Sequence, residues 1–89
     1  MRAIWKFKLD EGVDCFAIDM PKGASILALQ LQNGAPCLWA LVPDVDARCE
    51  TRTFRLYGTG LLIPEGRNVQ YIGTFQQPPY VFHLFEETP

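Results

Sequence analysis

Two arginines and a tyrosine in the second half of the sequence are the residues best suited to bind a ligand. Arg52, Arg55 and Tyr57 fall in the segment 50–57, where apolar and polar residues alternate. Guanidinium groups bind phosphate or carboxylate, but residues three apart on a strand point to opposite faces. Arg55 therefore shares a polar face with Thr53 and Tyr57 rather than with Arg52. We predict an anion or nucleotide contact there, and the alternative is a solvated polar face.

A second group combines an aromatic ring with amide side chains. Trp39 and Gln30 are predicted to share one face of a hairpin. A flat ring beside amide groups could stack on a base or bind a residue of a partner. The alternative for Trp39 is ordinary packing in the core.

Residues for catalysis or metal binding are sparse. His83 is the only histidine and lies in the most apolar segment, with no carboxylate clearly placed beside it to form a catalytic pair. The Gly58-Thr59-Gly60 segment has neither a lysine nor a following helix, so it predicts a bend rather than a phosphate-binding loop. We predict no catalytic residues, no metal site and no cofactor.

The odd number and wide spacing of the cysteines predict reduced, mostly buried thiols at Cys15, Cys37 and Cys49.

The elements that must position these side chains are predicted to be β-strands. Apolar residues alternate with a period of two, and Gly, Pro, Asn and Asp occupy the gaps. Seven short strands at such intervals are typical of a small all-β sandwich or barrel with antiparallel strands. The predicted strands cover 2–9, 14–20, 25–32, 37–42, 50–57, 69–76 and 80–86.

Asn33-Gly34 is the strongest local signal, because this dipeptide favours a two-residue hairpin turn. Such a turn fixes the register of the two strands that it joins. The predicted core face pairs Leu31 with Pro36, Leu29 with Leu38, and Leu27 with Ala40. On the opposite face, the pairs are Gln30 with Cys37, Ala28 with Trp39, and Ile26 with Leu41.

Two segments, 37–42 and 80–85, are apolar on both faces. One face of a small antiparallel sheet usually meets water, so a second apolar face requires its own cover. We predict that another subunit supplies it, through an interface of Tyr80, Phe82, His83 and Phe85. The alternative is that the rest of the chain covers these side chains.

Composition limits the class of protein. The chain has 89 residues, which predicts a single domain over 1–89, and its 48% hydrophobic and 20% charged residues are typical of a folded globular protein. A formal charge of −2 argues against binding to duplex nucleic acid. No run of apolar residues is long enough for a membrane span or a signal peptide, so we expect a cytoplasmic protein.

Six segments together resemble a family of small uncharacterised proteins from tailed bacteriophages and prophages. The segments are MPKGA at 20–24, QLQNG at 30–34, LWALV at 38–42, TRTFRLYGTG at 51–60, YIGTF at 71–75 and VFHLFE at 81–86. The resemblance spans nearly the whole chain. It implies a phage-encoded protein that acts in the bacterial cytoplasm, and it supplies no catalytic residues.

The leading hypothesis is a non-enzymatic binding module, homo-oligomeric, that acts on a host or phage macromolecule. One alternative is a sponge for a cyclic or linear nucleotide signal of bacterial defence, with Arg55, Tyr57 and Trp39 as its contacts. Another alternative is a minor structural component of the virion.

Overall fold

The computed structural model describes residues 1–10 and 12–88, and within them the chain forms strands and turns without a helix. This confirms the predicted all-β class with antiparallel strands. No helix in the described part of the chain could cross a membrane. The strands are β1 (Ala3–Lys8), β2 (Cys15–Pro21), β3 (Ser25–Gln32), β4 (Ala35–Val42), β5 (Cys49–Gly58), β6 (Val69–Gln77) and β7 (Tyr80–Glu87).

The strands form two sheets that pack face to face. The three-stranded sheet has the order β1-β4-β3, and the four-stranded sheet has the order β2-β5-β7-β6. Alternate residues of each strand point into the space between the sheets. The buried core draws on both sheets: Leu9, Phe16, Met20, Ala24, Leu38, Ala40, Val42, Phe54 and Leu84.

The Asn33-Gly34 hairpin forms as predicted, with positive φ angles of 53° at Asn33 and 81° at Gly34. The predicted pairs hold from the turn up to Ala28, which lies opposite Trp39. Beyond that point a bulge at Leu27 shifts the register by one residue. The prediction that Leu27 pairs with Ala40 on the core face is therefore wrong. Ile26 takes that place, and Leu27 is left half-exposed.

Pro36 limits the length of β1. It lies opposite Leu31, as predicted, and its carbonyl accepts a hydrogen bond of 3.0 Å from the backbone N–H of Leu9. Proline has no N–H to return to Leu9, so the ladder between β1 and β4 ends there. β1 accordingly stops at Lys8, while the Leu9 side chain turns into the core.

In the four-stranded sheet, β7 lies between β5 and β6 and pairs with both. Its register places Phe85 opposite Arg55 on one side and opposite Tyr71 on the other. A bulge at Ile72 interrupts the pairing of β6 with β7. This central position of β7 brings the predicted residues of β5 and β7 side by side.

Candidate functional site

The outer face of the four-stranded sheet, which is the side turned away from the three-stranded sheet, gathers most of the predicted site. Thr53, Arg55 and Tyr57 project from β5, and His83 and Phe85 project beside them from β7. All five side chains are half-buried. Part of the predicted ligand site, Thr53, Arg55 and Tyr57, and part of the predicted interface, His83 and Phe85, thus form one surface.

Three aromatic rings form the centre of this outer face. The ring of Phe85 lies 5.7 Å from that of Tyr57 and 5.5 Å from that of Tyr71, both at edge-to-face angles. Such geometry contributes about 0.5–1.5 kcal/mol per pair beyond the area buried. Tyr71 remains 56% exposed, so its ring is open to a partner.

His83 is held from both sides by threonine hydroxyls. Thr59 Oγ1 lies 2.8 Å from His83 Nε2, and Thr74 Oγ1 lies 2.9 Å from His83 Nδ1. The Tyr71 hydroxyl is 2.6 Å from the same Thr74 oxygen. Both ring nitrogens are therefore engaged by neutral hydroxyl groups.

Arg55 and Arg67 share one carboxylate at the end of this face. Arg55 Nε is 2.5 Å and Arg67 Nη1 is 2.6 Å from the same Oε1 atom of Glu87. Desolvation acts to raise the pKa of Glu87, but the hydrogen bonds from Arg67 and Arg55 outweigh it, so the pKa lies below its usual 4.5. The bond to Glu87 in turn raises the pKa of Arg55. Two guanidinium groups against one carboxylate leave a local excess of positive charge.

Arg52 points to the opposite side of the same sheet, as predicted. Its guanidinium makes a bidentate ion pair with Glu86, at 2.6 and 2.7 Å, and donates to the Ala24 carbonyl. The bond to Glu86 outweighs desolvation and raises the pKa of Arg52. The side chains of Arg52 and Glu86 are mostly buried, so this ion pair stabilises the end of the core and does not contribute to the outer face.

Trp39 and Gln30 lie on the outer side of the three-stranded sheet, away from Arg55 and Tyr57. Trp39 is half-buried, with Lys6 opposite on β1 and Ala28 opposite on β3. The two outer surfaces are separated by two sheets about 10 Å apart. A nucleotide bound to one chain could not touch Trp39 and Arg55 together, so the predicted set of ligand contacts divides into two surfaces.

The four predicted interface residues also divide between faces. His83 and Phe85 lie on the outer face, whereas Phe82 follows the inward alternation of Leu84 and contacts the rings of Phe75 and Tyr80. Tyr80 is 64% exposed at the turn that begins β7. The chain itself therefore covers part of this apolar strand.

The exposed segment Leu61-Leu62-Ile63 follows β5, and the sequence analysis did not single it out. Leu61 is 68%, Leu62 is 91% and Ile63 is 40% exposed. The segment begins next to the outer face, because Thr59 bonds both the Val81 carbonyl and the His83 ring. Three consecutive large apolar side chains with this much exposure are unusual on a domain surface.

The thiols differ from the prediction that they are mostly buried. Cys37 is buried, but Cys15 and Cys49 are exposed, and all three are free. Cys15 pairs with Arg55 on the outer face, and Cys49 pairs with Pro21 at the start of β5. Among the described residues, no group of three or more His, Cys, Asp or Glu side chains could hold a metal ion.

One protein family, described as a domain of unknown function (DUF7352), matches residues 1–89. The chain belongs to this family. No curated protein and no solved structure matches the chain. Membership in the DUF7352 family therefore assigns no chemistry to the outer face.

Sequence reasoning missed several members of the outer face of this DUF7352 chain: Thr59, Arg67, Tyr71, Thr74 and Glu87. One signal could have found Thr74. Only Pro78 and Pro79 separate β6 from β7. A two-residue loop places Gln77 opposite Tyr80, and the same register places Thr74 opposite His83. Tyr71 lies beyond the bulge at Ile72, and no local sequence signal predicts that bulge. The pairing of β5 with β7 also has no local signal, because a long stretch of chain separates the two strands.

Proposed function

We propose that this DUF7352 protein is a non-catalytic binding module, which associates with copies of itself and uses the outer face of the four-stranded sheet to bind a macromolecule. The observation that carries the proposal is the exposed segment Leu61-Leu62-Ile63, which begins two residues after Thr59, a residue that contacts His83 of that face. Large apolar patches on soluble domains mark interaction sites, because leaving them in water costs free energy.

The composition of the outer face supports a protein partner. Tyr57, Tyr71 and Arg55 belong to the residue types that dominate binding energy in protein interfaces. Arg67 and Glu87 add a charged rim beside the aromatic centre. An apolar projection, aromatic anchors and a polar rim together match the anatomy of a protein interface.

The proposed setting is the cytoplasm of a bacterium that carries the phage or prophage encoding this chain. The support is the resemblance of the six sequence segments to small proteins of tailed bacteriophages. The partner is then a host or phage protein, and affinity capture from infected cells is the direct way to find it.

The matched variants Leu62→Asp and Ile4→Asp test the surface. Leu62 projects from the exposed segment, whereas Ile4 is 62% exposed on the other sheet. We expect the wild-type chain and Ile4→Asp to capture the same protein from infected cells, and Leu62→Asp to lose it while keeping its circular dichroism spectrum and thermal midpoint. Equal capture by all three chains would contradict the proposal.

A further inference from the structure

We propose that the self-association uses the free edge of β6, which pairs with β6 of a second copy in antiparallel orientation. The inference rests on the proposed self-association and names its interface. The product would be one continuous sheet of two four-stranded halves, with the two outer faces on the same side.

The backbone hydrogen bonds show which groups of β6 are free. Thr59 donates its N–H to the Val81 carbonyl, so Val81 turns its backbone groups toward β5. Successive residues of a strand alternate in this respect, so Phe82 turns toward β6 and bonds Phe75. The neighbours of Phe75 on β6, Thr74 and Gln76, therefore direct their N–H and C=O groups outward, at an edge where no strand of residues 1–10 and 12–88 pairs.

Charge distinguishes the edge strands from one another. Pairing about a two-fold axis brings each side chain near its own copy, so a charged edge repels itself. β1 carries Lys6 and Lys8, and β2 carries Asp19 and ends in Pro21. β3 and β6 carry no charged residue. Natural edge strands are commonly protected by charge or proline, and within the sequence of β6 neither is present.

Of the two uncharged edges, β6 is the one that borders the candidate site. Exposed Tyr71 lies on the outer face of β6 and lines a cleft of about 410 Å³ together with half-exposed Leu27. Pairing at this edge would cover the free backbone groups next to this cleft. It would also place the two aromatic clusters in one surface, which suits a single large partner.

The bulge at Ile72 limits the contact to the five residues Gly73–Gln77. A two-fold axis beside Phe75 sets Thr74 of one copy opposite Gln76 of the other. In such a pair the two residues exchange both of their backbone hydrogen bonds. The contact closes on itself and does not propagate into a fibre.

The test compares the dissociation constants of the dimer for wild type, Gln76→Pro, Gln76→Lys and Ile4→Pro by light scattering over a concentration series. Gln76→Pro removes an outward N–H and leaves the β6–β7 ladder intact. We expect a dimer whose dissociation constant rises about tenfold or more in that variant, because each interface loses two hydrogen bonds. Gln76→Lys keeps the backbone N–H and places like charges on the two paired copies of β6. This variant decides the test if the proline variant does not fold.

Ile4→Pro is the matched control, because it also removes an outward N–H, but from the edge strand β1. The N–H of Leu9 points to Pro36 of β4, and backbone groups alternate along the strand, so those of Ile4 point away from β4. Its dissociation constant should equal that of the wild type. A dimer that survives Gln76→Lys and a folded Gln76→Pro would overturn the assignment to β6 and leave self-association standing. A wild-type chain that stays monomeric at high concentration would overturn both.

Discussion

Glu86 and Glu87 are neighbours in the sequence, yet they bind arginines on opposite faces of the four-stranded sheet. Successive residues of a strand point to opposite sides, so Glu86 meets Arg52 inside and Glu87 meets Arg55 outside. The same alternation separates the two arginines along β5. The two glutamates at the end of β7 thus form one ion pair at the core and another at the candidate site.

Replacing Glu86 should destabilise the fold more than replacing Glu87. Glu86→Gln removes the ion-pair partner of the mostly buried Arg52 guanidinium, which we expect to cost about 1–3 kcal/mol of unfolding free energy in urea titrations. The double variant Arg52→Met/Glu86→Leu removes both charges and should recover much of that loss. A double variant less stable than Glu86→Gln would contradict this interpretation.

The acid limb of the stability curve should depend on Glu87. Its pKa is lowered in the folded chain, so it contributes stability above the unfolded pKa near 4.5, and that stability is lost as the pH falls through the lower folded value. We expect Glu87→Gln to reduce the slope of unfolding free energy against pH below about 4.5. Thermal unfolding from pH 3 to 7 measures it, and parallel curves for the two chains would count against the ion pairs.

At the residue scale, the sequence predicted the faces of the two arginines but not the glutamates that form ion pairs with them. Alternation alone separated Arg52 from Arg55, because the rule is local. The glutamates that bind them lie more than 30 residues away, and only the pairing of β5 with β7 brings them close.

The hairpin between β3 and β4 depends on its turn. Gly34 has a φ of 81°, which L-residues with a side chain adopt only at a cost of about 1–2 kcal/mol. We expect Gly34→Ala to lower the unfolding free energy by that amount in chemical denaturation. Gly58→Ala is the control, because an added methyl there meets Leu61 at an ordinary 3.4 Å. Equal losses from the two changes would show that the turn conformation is not the cause.

The same hairpin shows what a local pattern can and cannot predict. The register near the turn follows from Asn33-Gly34, because loop length fixes which residues oppose each other. The bulge at Leu27 has no such signal, since Ile26 and Leu27 are equally apolar and either could face the core. Packing against the other sheet decides between them, and β3 meets that sheet closely where Leu29 adjoins Gly73.

The stability of the whole molecule rests on a few fully buried side chains. Phe54 is completely buried, lies in the middle of β5 and stacks on Phe16 of β2. Phe54→Ala should cost about 3–5 kcal/mol, a large share of the 5–15 kcal/mol typical of a domain. Scanning calorimetry should show a midpoint lower by more than about 10 °C. Tyr71→Ala, on the outer face, should lower it much less.

For the molecule as a whole, alternation and turn residues predicted the strands and the all-β class, because both depend on neighbours in sequence. The order of strands within each sheet depends on contacts between distant segments, such as β1 with β4. That order placed Trp39 and Arg55 on opposite surfaces and so divided the predicted ligand site. It also placed β7 in the middle of its sheet.

The position of β7 has a consequence for synthesis on the ribosome. The three-stranded sheet needs only residues up to Val42, but β5 and β6 are not neighbours in their sheet and are joined only through β7, which lies between them. Translation proceeds at about 5–20 residues per second, so the stretch from the end of β5 to the end of β7 takes a few seconds to appear. For that interval the nascent chain exposes apolar strands, and it is then most exposed to chaperones and proteases of the cell.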